Sequence, residues 1–352
     1  MTAQYRLPAE WEPHAATWLA WPHNARDWPG KFAPIRWVYA EIVRHLALSE
    51  PVHILVRSPE QEREVRSLLE RSHVDIGQVT FFSIPTNRVW TRDYCPAFVH
   101  AQDGQNCRLH AVRFGFNGWA KYPDHELDAA VPEHIARALD IPLTPLRHGE
   151  RTVVLEGGAI DGNGQGSLLT TEECLLDQQT QVRNPGLSRE DLEAALREHL
   201  GVTNVIWLGD GIAGDDTHGH VDDLCRFVNP TTVVLVQEDD PRDVNYQSLR
   251  ENRERLESAH LEDGSRPQVV PLPMPAPLYF ENIRLPASYA NFYISNARVI
   301  VPTFNDPKDR IALGILADLF PDRKIVGVHA VDLVWGFGTL HCLTHEQVVS
   351  KF

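Results

Sequence analysis

The stretch FYISNARVIVPTFNDPKDRIALGILADLFPDRKIVGV, residues 292–328, sets out the architecture in miniature. Two short apolar runs, Phe292–Ile294 and Val299–Val301, read as strands. Asp306–Phe320 follows as a predicted helix: Asp306-Pro307 opens it and Pro321 lies just past its end. Ile325–Val328 is a third apolar run. The order strand, strand, helix, strand makes a ββαβ-like unit.

The same order recurs outward from that stretch. Apolar runs at Thr17–Trp21, Val52–Val56, Val79–Ile84, Ala97–Val99 and Val153–Leu155 predict buried strands. So do Leu168–Thr170, Val205–Leu208, Arg226–Val228, Val233–Val236 and Leu340–Leu343. Helices are expected over Ile35–Leu48, Glu60–Ser72, Asp124–Leu139, Ser188–Leu200 and Val244–Ser258, with Ser188 and Asp191 forming a capping box. One unit spans Ala15–Pro85, and others begin near Arg88, Val153, Val221 and Phe292. About five units of roughly 50–70 residues suit a closed array of supersecondary repeats. Nothing marks a clear linker; Pro267–Pro277 reads as either a linker or a buried connection. The expectation is one α/β domain over residues 1–352.

The net charge of -15 argues against nucleic acid, whose phosphates call for Lys and Arg. It favours cations near clefts, and equally serves solubility. The five cysteines, Cys95, Cys107, Cys174, Cys225 and Cys342, are widely spaced with no CxxC pair. That speaks against a disulfide framework or thiolate zinc site and predicts a reducing, cytoplasmic home. The opening MTAQYRLPAEWEP has no charged start followed by an apolar run, so no signal peptide is expected. No stretch approaches the ~20 apolar residues of a membrane helix.

Four segments carry polar groups in suggestive patterns. Gly336-Phe-Gly-Thr-Leu-His-Cys342 runs a glycine-rich turn into a cysteine, which is either a nucleophile or a small buried hydrophobe. His341 is set aside there, because neighbours on a strand face opposite ways. Gly214–Asp223 holds two histidines and four acids. If that chain is extended from Gly219, His220 and Asp222 share a face. The trio His218, His220 and Asp222 could hold a divalent ion, the pair His220 and Asp222 could move protons, and an Asp-rich surface turn is the plain alternative. Glu156 ends the apolar run Val153–Leu155 at the core boundary, before glycine-rich turns that lack the Lys-Ser/Thr of a phosphate loop. Asp93 lies among Arg88, Trp90 and Arg92, where an Arg–Asp structural pair is the simplest reading.

Taken in order, these segments resemble the agmatine deiminase family of guanidine-modifying enzymes, whose superfamily includes the peptidylarginine deiminases. Leu7-Pro-Ala-Glu-Trp-Glu-Pro-His14, Trp21-Pro-His-Asn24, Arg92-Asp93, Glu156-Gly-Gly158, Gly219-His-Val-Asp222, Ser288-Tyr-Ala-Asn-Phe-Tyr-Ile-Ser-Asn296 and the final Gly-x-Gly-x-x-His-Cys342 carry the likeness. It implies the pentein fold, an α/β propeller with five-fold pseudo-symmetry. It implies Cys342 as nucleophile, His220 as general acid/base, and Asp93, Glu156 and Asp222 as the carboxylates around a guanidinium. Trp90 and Arg92 beside Asp93 complete the substrate-binding candidates. No metal and no cofactor are implied.

The expected reaction hydrolyses agmatine to N-carbamoylputrescine and ammonia through a covalent thiouronium, a step toward putrescine and the polyamines. The expected partner is a small cationic guanidine, with neither nucleic acid nor membrane; the family's habit implies a homodimer. Deimination of peptidylarginine or free arginine, amidino transfer to an amine, an inactive binding module and a His/Asp metallohydrolase are the other readings. Arg88, Arg92 and Arg284 are candidate partners for a carboxylate tail, whereas the overall acidity favours a dication. The sequence departs from the family's usual Gly-Gly-Gly-Asn-Ile-His-Cys ending at Phe337, Thr339 and Leu340, and has Cys95 where Arg-Asp-x-Gly-Pro carries glycine. These departures bear on the substrate tail rather than on the reaction class.

Overall fold

The computed structural model describes residues 4–104 and 106–350; the first three residues of the N-terminal stretch lie outside that range. In the segment quoted above, Tyr293–Ile294 pairs antiparallel with Arg298–Thr303. Helix Asp309–Leu319 then crosses over, and Lys324–His329 pairs parallel to the second strand. The physical logic is general: antiparallel neighbours can be joined by a tight turn, whereas parallel ones need a crossover.

The same pairing pattern appears in three other sheets. Ala97–Asp103, Asn106–Arg113 and Leu143–Pro145 form one. Asp161–Gly162, Ser167–Thr171 and Asn204–Leu208 form the next. Cys225–Asn229, Thr232–Gln237 and Gln268–Pro273 form the third. A further sheet draws on both ends of the chain. His345–Val348 pairs antiparallel with His14–Ala20, which pairs parallel with Val52–Val56, and that strand with Val79–Ser83. The result is a mixed α/β fold with two clusters of buried apolar side chains, one containing Trp18, Trp28 and Phe227, the other Val99, Leu168 and Leu196. No helix among the described residues is long and apolar enough to cross a membrane.

Several expected elements take a different form. Leu340–Leu343 is a turn, and the strand begins at His345. Side-chain bonds from Asn291 to the turn's backbone replace ladder bonds there. Val153–Leu155 is not a strand either: Val154 makes an isolated bridge to Gly115, and its N–H and C=O are both satisfied by the Asn184 amide. Asp124–Leu139 splits into Glu126–Ala129 and Val131–Leu139, with Pro132 in the first turn of the second piece. The helix expected from Asp306 starts at Asp309, whose carboxylate accepts from Phe304 N, Asp306 N and the Tyr289 hydroxyl. Gln268–Pro273, inside the proline-rich stretch, is an edge strand, where a missing N–H costs least.

Helix Arg189–Leu200 has the expected capping box: Ser188 Oγ accepts from Asp191 N and Asp191 returns a bond to Ser188 N. Ser188→Ala is expected to lower stability by about 1 kcal/mol, read as a reduced urea midpoint with an unchanged slope.

Candidate active site

Cys342 lies in the turn after the Gly336–Gly338 segment, and the turn is shaped by one buried side chain. Asn291 Oδ1 accepts from the N–H groups of His341 (3.0 Å) and Cys342 (3.4 Å) and from the Thr339 hydroxyl (2.7 Å), while its Nδ2 donates to Cys342 Sγ at 3.1 Å. Thr339, one of the departures from the family pattern, therefore helps to fix Asn291. Gly336 and Gly338 are demanded by space, since a Cβ on either would come within 2.8 Å of the Trp28 or Trp90 ring. Phe337 between them adopts φ +64°, a left-handed conformation costly for a bulky residue.

Three further segments bring acids and an imidazole to this turn. Cys342 Sγ lies 3.6 Å from Asp222 Oδ2. His220 Nδ1 lies 3.8 Å from Asp93 Oδ1 and 3.9 Å from Asp222 Oδ1, and His220 Nε2 lies 3.6 Å from Glu156 Oε2. These separations exceed hydrogen-bond length. Both ring nitrogens of His220 and Asp222 Oδ1 are buried without a hydrogen-bond partner among the described residues. The segment Val221–Asp223 is a 3-10 turn rather than the extended chain expected, yet it still presents His220 and Asp222 together. The cluster closes on Gly158, whose N–H donates to Asp93 Oδ1 at 3.1 Å. A Cβ there would lie 2.7 Å from His220 Nδ1, 2.9 Å from Asp93 Oδ1 and 3.0 Å from Asp222 Oδ2.

Behind the cluster is a layer that the sequence did not reveal. His341 Nδ1 lies 2.7 Å from Asp222 Oδ2, and its Nε2 lies 2.7 Å from Glu10 Oε2. Each ring nitrogen thus meets a carboxylate oxygen at hydrogen-bond distance. Glu10 also accepts from Arg92, Arg226 and Ile294 N. Arg92 is thus corrected as a substrate-binding candidate. It is buried behind the turn, paired with Glu10 at 3.2 Å and Glu346 at 2.8 Å, and its backbone N–H donates to Cys342 O. Glu156 is likewise gripped from behind by Arg183 Nε, at 3.3 Å to each oxygen. The trio His218, His220 and Asp222 is not assembled. His218, at φ +67°, turns away to Asp177 (2.9 Å) and Glu173 (3.3 Å). Two other trios, Glu156–Cys174–His220 and Asp222–Asp223–Cys342, have potential ligand atoms within 4.8 Å of one another. In those trios Glu156 is already engaged by Arg183 and Asp222 by His341.

A cavity of about 620 Å³ opens from Cys342 and Asp93 to the surface. Trp90, a predicted substrate-binding residue, lines it, with Trp119 and Phe337. Trp119 Nε1 donates to Asp93 Oδ2 at 2.9 Å. Asp27, Asp124 and Asp216 lie along its outer part.

Burial dominates the titration of these groups. It pushes the Cys342 thiol well above its ordinary range, helped by Asp222, Asp223 and Asp93. Burial, with Asp222 and Glu156 adding to it against the pull of His220, raises Asp93 to about 6. Burial disfavours the His220 cation, but Asp93 and Glu156 outweigh it and lift the imidazole well above its usual value. Burial would raise Asp222 and Glu156 too; His341 on one and Arg183 on the other hold them below the ordinary carboxylate range. The resting site therefore combines a neutral thiol, an imidazolium and carboxylates with unused acceptor capacity. A flat cation rich in N–H donors matches it, and the thiol is placed to attack that cation's carbon.

These features suit a guanidine-modifying protein, and comparison with known proteins shows the family. A family profile described as Porphyromonas-type peptidyl-arginine deiminase matches residues 6–347. Agmatine deiminase of Ectopseudomonas mendocina is 35% identical, the match covering 97% of this chain and 95% of that one. Agmatine deiminase of Pseudomonas aeruginosa is 34% identical, with 99% and 96% covered. Among solved structures, agmatine deiminase of Enterococcus faecalis superposes with a TM-score of 0.86 at 31% identity, covering 97% of this chain and 95% of that one. The chain belongs to the agmatine deiminase/peptidylarginine deiminase family.

Two outcomes follow from the geometry. Gly158→Ala should keep its circular dichroism but lose about 100-fold in turnover of a guanidine, because it displaces three reacting groups at once. An acid whose pKa is about 6 when folded, against ~3.9 unfolded, takes up a proton more readily in the native state. Asp93 thus favours the folded form as pH falls through that window and opposes it above. Guanidinium binding needs the carboxylate, so affinity for a Cys342→Ala variant, measured by calorimetry, should weaken from about pH 7.5 to about pH 5.

Proposed function

We propose that this chain is an agmatine deiminase, a hydrolase that converts agmatine and water to N-carbamoylputrescine and ammonia. The meeting of Cys342, His220, Asp93, Glu156 and Asp222, with Cys342 and Asp93 lining one cavity, carries this reading. The agmatine deiminases among its relatives, alike over nearly the whole chain, support the choice of amine.

In the mechanism we infer, Asp93 and Asp222 receive the guanidinium N–H groups and fix the plane of the cation. The arriving positive charge offsets the carboxylates that hold Cys342 protonated, and the thiol gives its proton to solvent water. The thiolate adds to the guanidinium carbon. His220 gives its proton to the departing nitrogen as the C–N bond breaks, and ammonia leaves. Glu156 keeps His220 in position from behind. The thiouronium that remains is attacked by water, one of whose protons passes to the now neutral His220; on collapse the C–S bond breaks, the remaining hydroxyl proton returns to the sulfur, and the ureido product is freed. Arg183 and His341 balance the charges of Glu156 and Asp222 without entering the sequence of bond changes.

The tail of the substrate is read from the outer cavity. The three arginines considered for a carboxylate tail are all committed elsewhere: Arg88 to Asp27 and Asp124, Arg92 to Glu10 and Glu346, and Arg284 to Asp243. Among the outer acids, Asp216 has a lysine rather than an arginine beside it, and it favours an ammonium tail.

The reading extends to the whole molecule. Five sheets with one pairing pattern support a five-fold pseudo-symmetric propeller formed by a single domain over residues 1–352. Five unpaired cysteines support a reducing, cytoplasmic home, and the family resemblance carries a homodimer with it.

Incubation of the purified chain with agmatine, arginine and an arginyl peptide should release ammonia chiefly from agmatine. Cys342→Ser should stay folded and release none. Ammonia from that variant at the wild-type rate would remove the nucleophile from the mechanism.

A further inference from the structure

Three carboxylates line the outer cavity, and their partners differ. Arg88, with its side chain 11% exposed, binds Asp27 at 2.9 Å and Asp124 at 2.8 Å, and its guanidinium lies over the Tyr122 ring at 4.3 Å. Arg88 is thereby held between two carboxylates and a ring. Asp216 is held differently: Tyr122 donates its hydroxyl to Oδ2 at 2.6 Å, and the ammonium of Lys121 pairs with Oδ1. The Lys121 side chain is 40% exposed, while the Asp216 side chain is 16% exposed. A half-exposed lysine on a flexible stem is the only one of these cations that can leave for water at small cost.

The backbone that carries Lys121 is strained. Gly118, Trp119 and Ala120 adopt φ +66°, +58° and +51°, two of them non-glycine residues in the left-handed region. Such runs persist where the surroundings impose them, and they concentrate at functional sites. Here the constraints are visible. Trp119 is fixed by its bond to Asp93, and Gln181 Nε2 donates to both Trp119 O (3.0 Å) and Asp216 O (3.1 Å). One short loop thus touches the guanidinium end of the site through Trp119 and the outer end through Lys121 and Tyr122. Beyond Asp216, the neighbouring Asp215 carboxylate accepts from the backbone N–H groups of Gly219 and His220, each at 2.8 Å.

We propose that Lys121 is a specificity-determining residue: its ammonium neutralises Asp216 in the free enzyme and is exchanged for the terminal ammonium of the substrate. The inference rests on the agmatine reading above and deepens it. The exchange moves no covalent bond; one N⁺–H···O⁻ pair replaces another, and Lys121 swings to solvent. A neutral tail gains nothing from that exchange, and a carboxylate tail meets Asp216 unfavourably once the lysine has left.

The test compares wild-type, Lys121→Met and Lys121→Arg on three guanidines of similar length: agmatine, n-butylguanidine and 4-guanidinobutanoate. Removing the competitor charge in Lys121→Met should raise kcat/KM for agmatine about fivefold, through KM, the scale of a half-exposed ion pair. Butylguanidine should be unchanged and guanidinobutanoate should fall. Lys121→Arg should keep the wild-type ratios. Agmatine binding to the Cys342→Ala form, with and without Lys121→Met, should show the same gain by calorimetry. If agmatine and butylguanidine move together, or agmatine worsens, Lys121 only props the loop and the proposal is overturned. Wild-type turnover separates the two readings: ammonia from agmatine without a change in these ratios sinks only the role of Lys121, whereas no ammonia from agmatine sinks both.

Discussion

The Glu10 carboxylate is the tie on which the site depends. It is buried, and Arg92, Arg226, His341 and Ile294 N all donate to it. Those donors come from segments dispersed along the chain. Removing one member of such a buried charged cluster typically costs 3–5 kcal/mol, because the others are left uncompensated. Burial would push Glu10 up, and Arg226, His341 and Arg92 together hold it well below the ordinary range. Glu10 therefore stays ionised and fixes His341, which fixes Asp222, which stands beside the Cys342 sulfur. The order of this chain of contacts explains how a glutamate near the N-terminus governs a cysteine near the other end.

Carboxylates are paired with guanidiniums in this layer and lack them in the one above it. Below, the three arginines Arg92, Arg226 and Arg183 pair with Glu10, Glu346, Asp161 and Glu156. Above, Asp93, Asp222 and Asp223 face the thiol with His220 as their cation. The raised thiol and the raised Asp93 are two expressions of that shortage. In the proposed mechanism a cationic substrate is both ligand and activator: it relieves the carboxylates and makes the thiolate accessible in the same event.

Much of this was legible in the sequence. The apolar runs and capping signals located the repeating strand and helix order, because period and caps are local properties. Asp93, Glu156, His220, Asp222 and Cys342 were singled out by the order of motifs that resembles the agmatine deiminase family; local pattern alone left Asp93 as an Arg–Asp pair. What failed was orientation. His341 was set aside on the assumption of a strand, where neighbours diverge; in the Asn291-stapled turn it meets Asp222 instead. Arg92 stands next to Asp93 in sequence but belongs to the layer beneath. Glu10 lay inside a quoted motif with no local pattern to mark it as a hub, since its partners are fixed only by tertiary contacts. The pairing of Lys121 with Asp216 likewise joins residues from different segments, and no spacing rule relates them.

The sheet that holds His14–Ala20 has a mechanical consequence. His345–Val348 pairs along its edge and begins three residues past Cys342. Peeling that edge strand away would draw the sulfur off the acids and the imidazole, so the edge pairing and the assembly of the cluster are one coupled event.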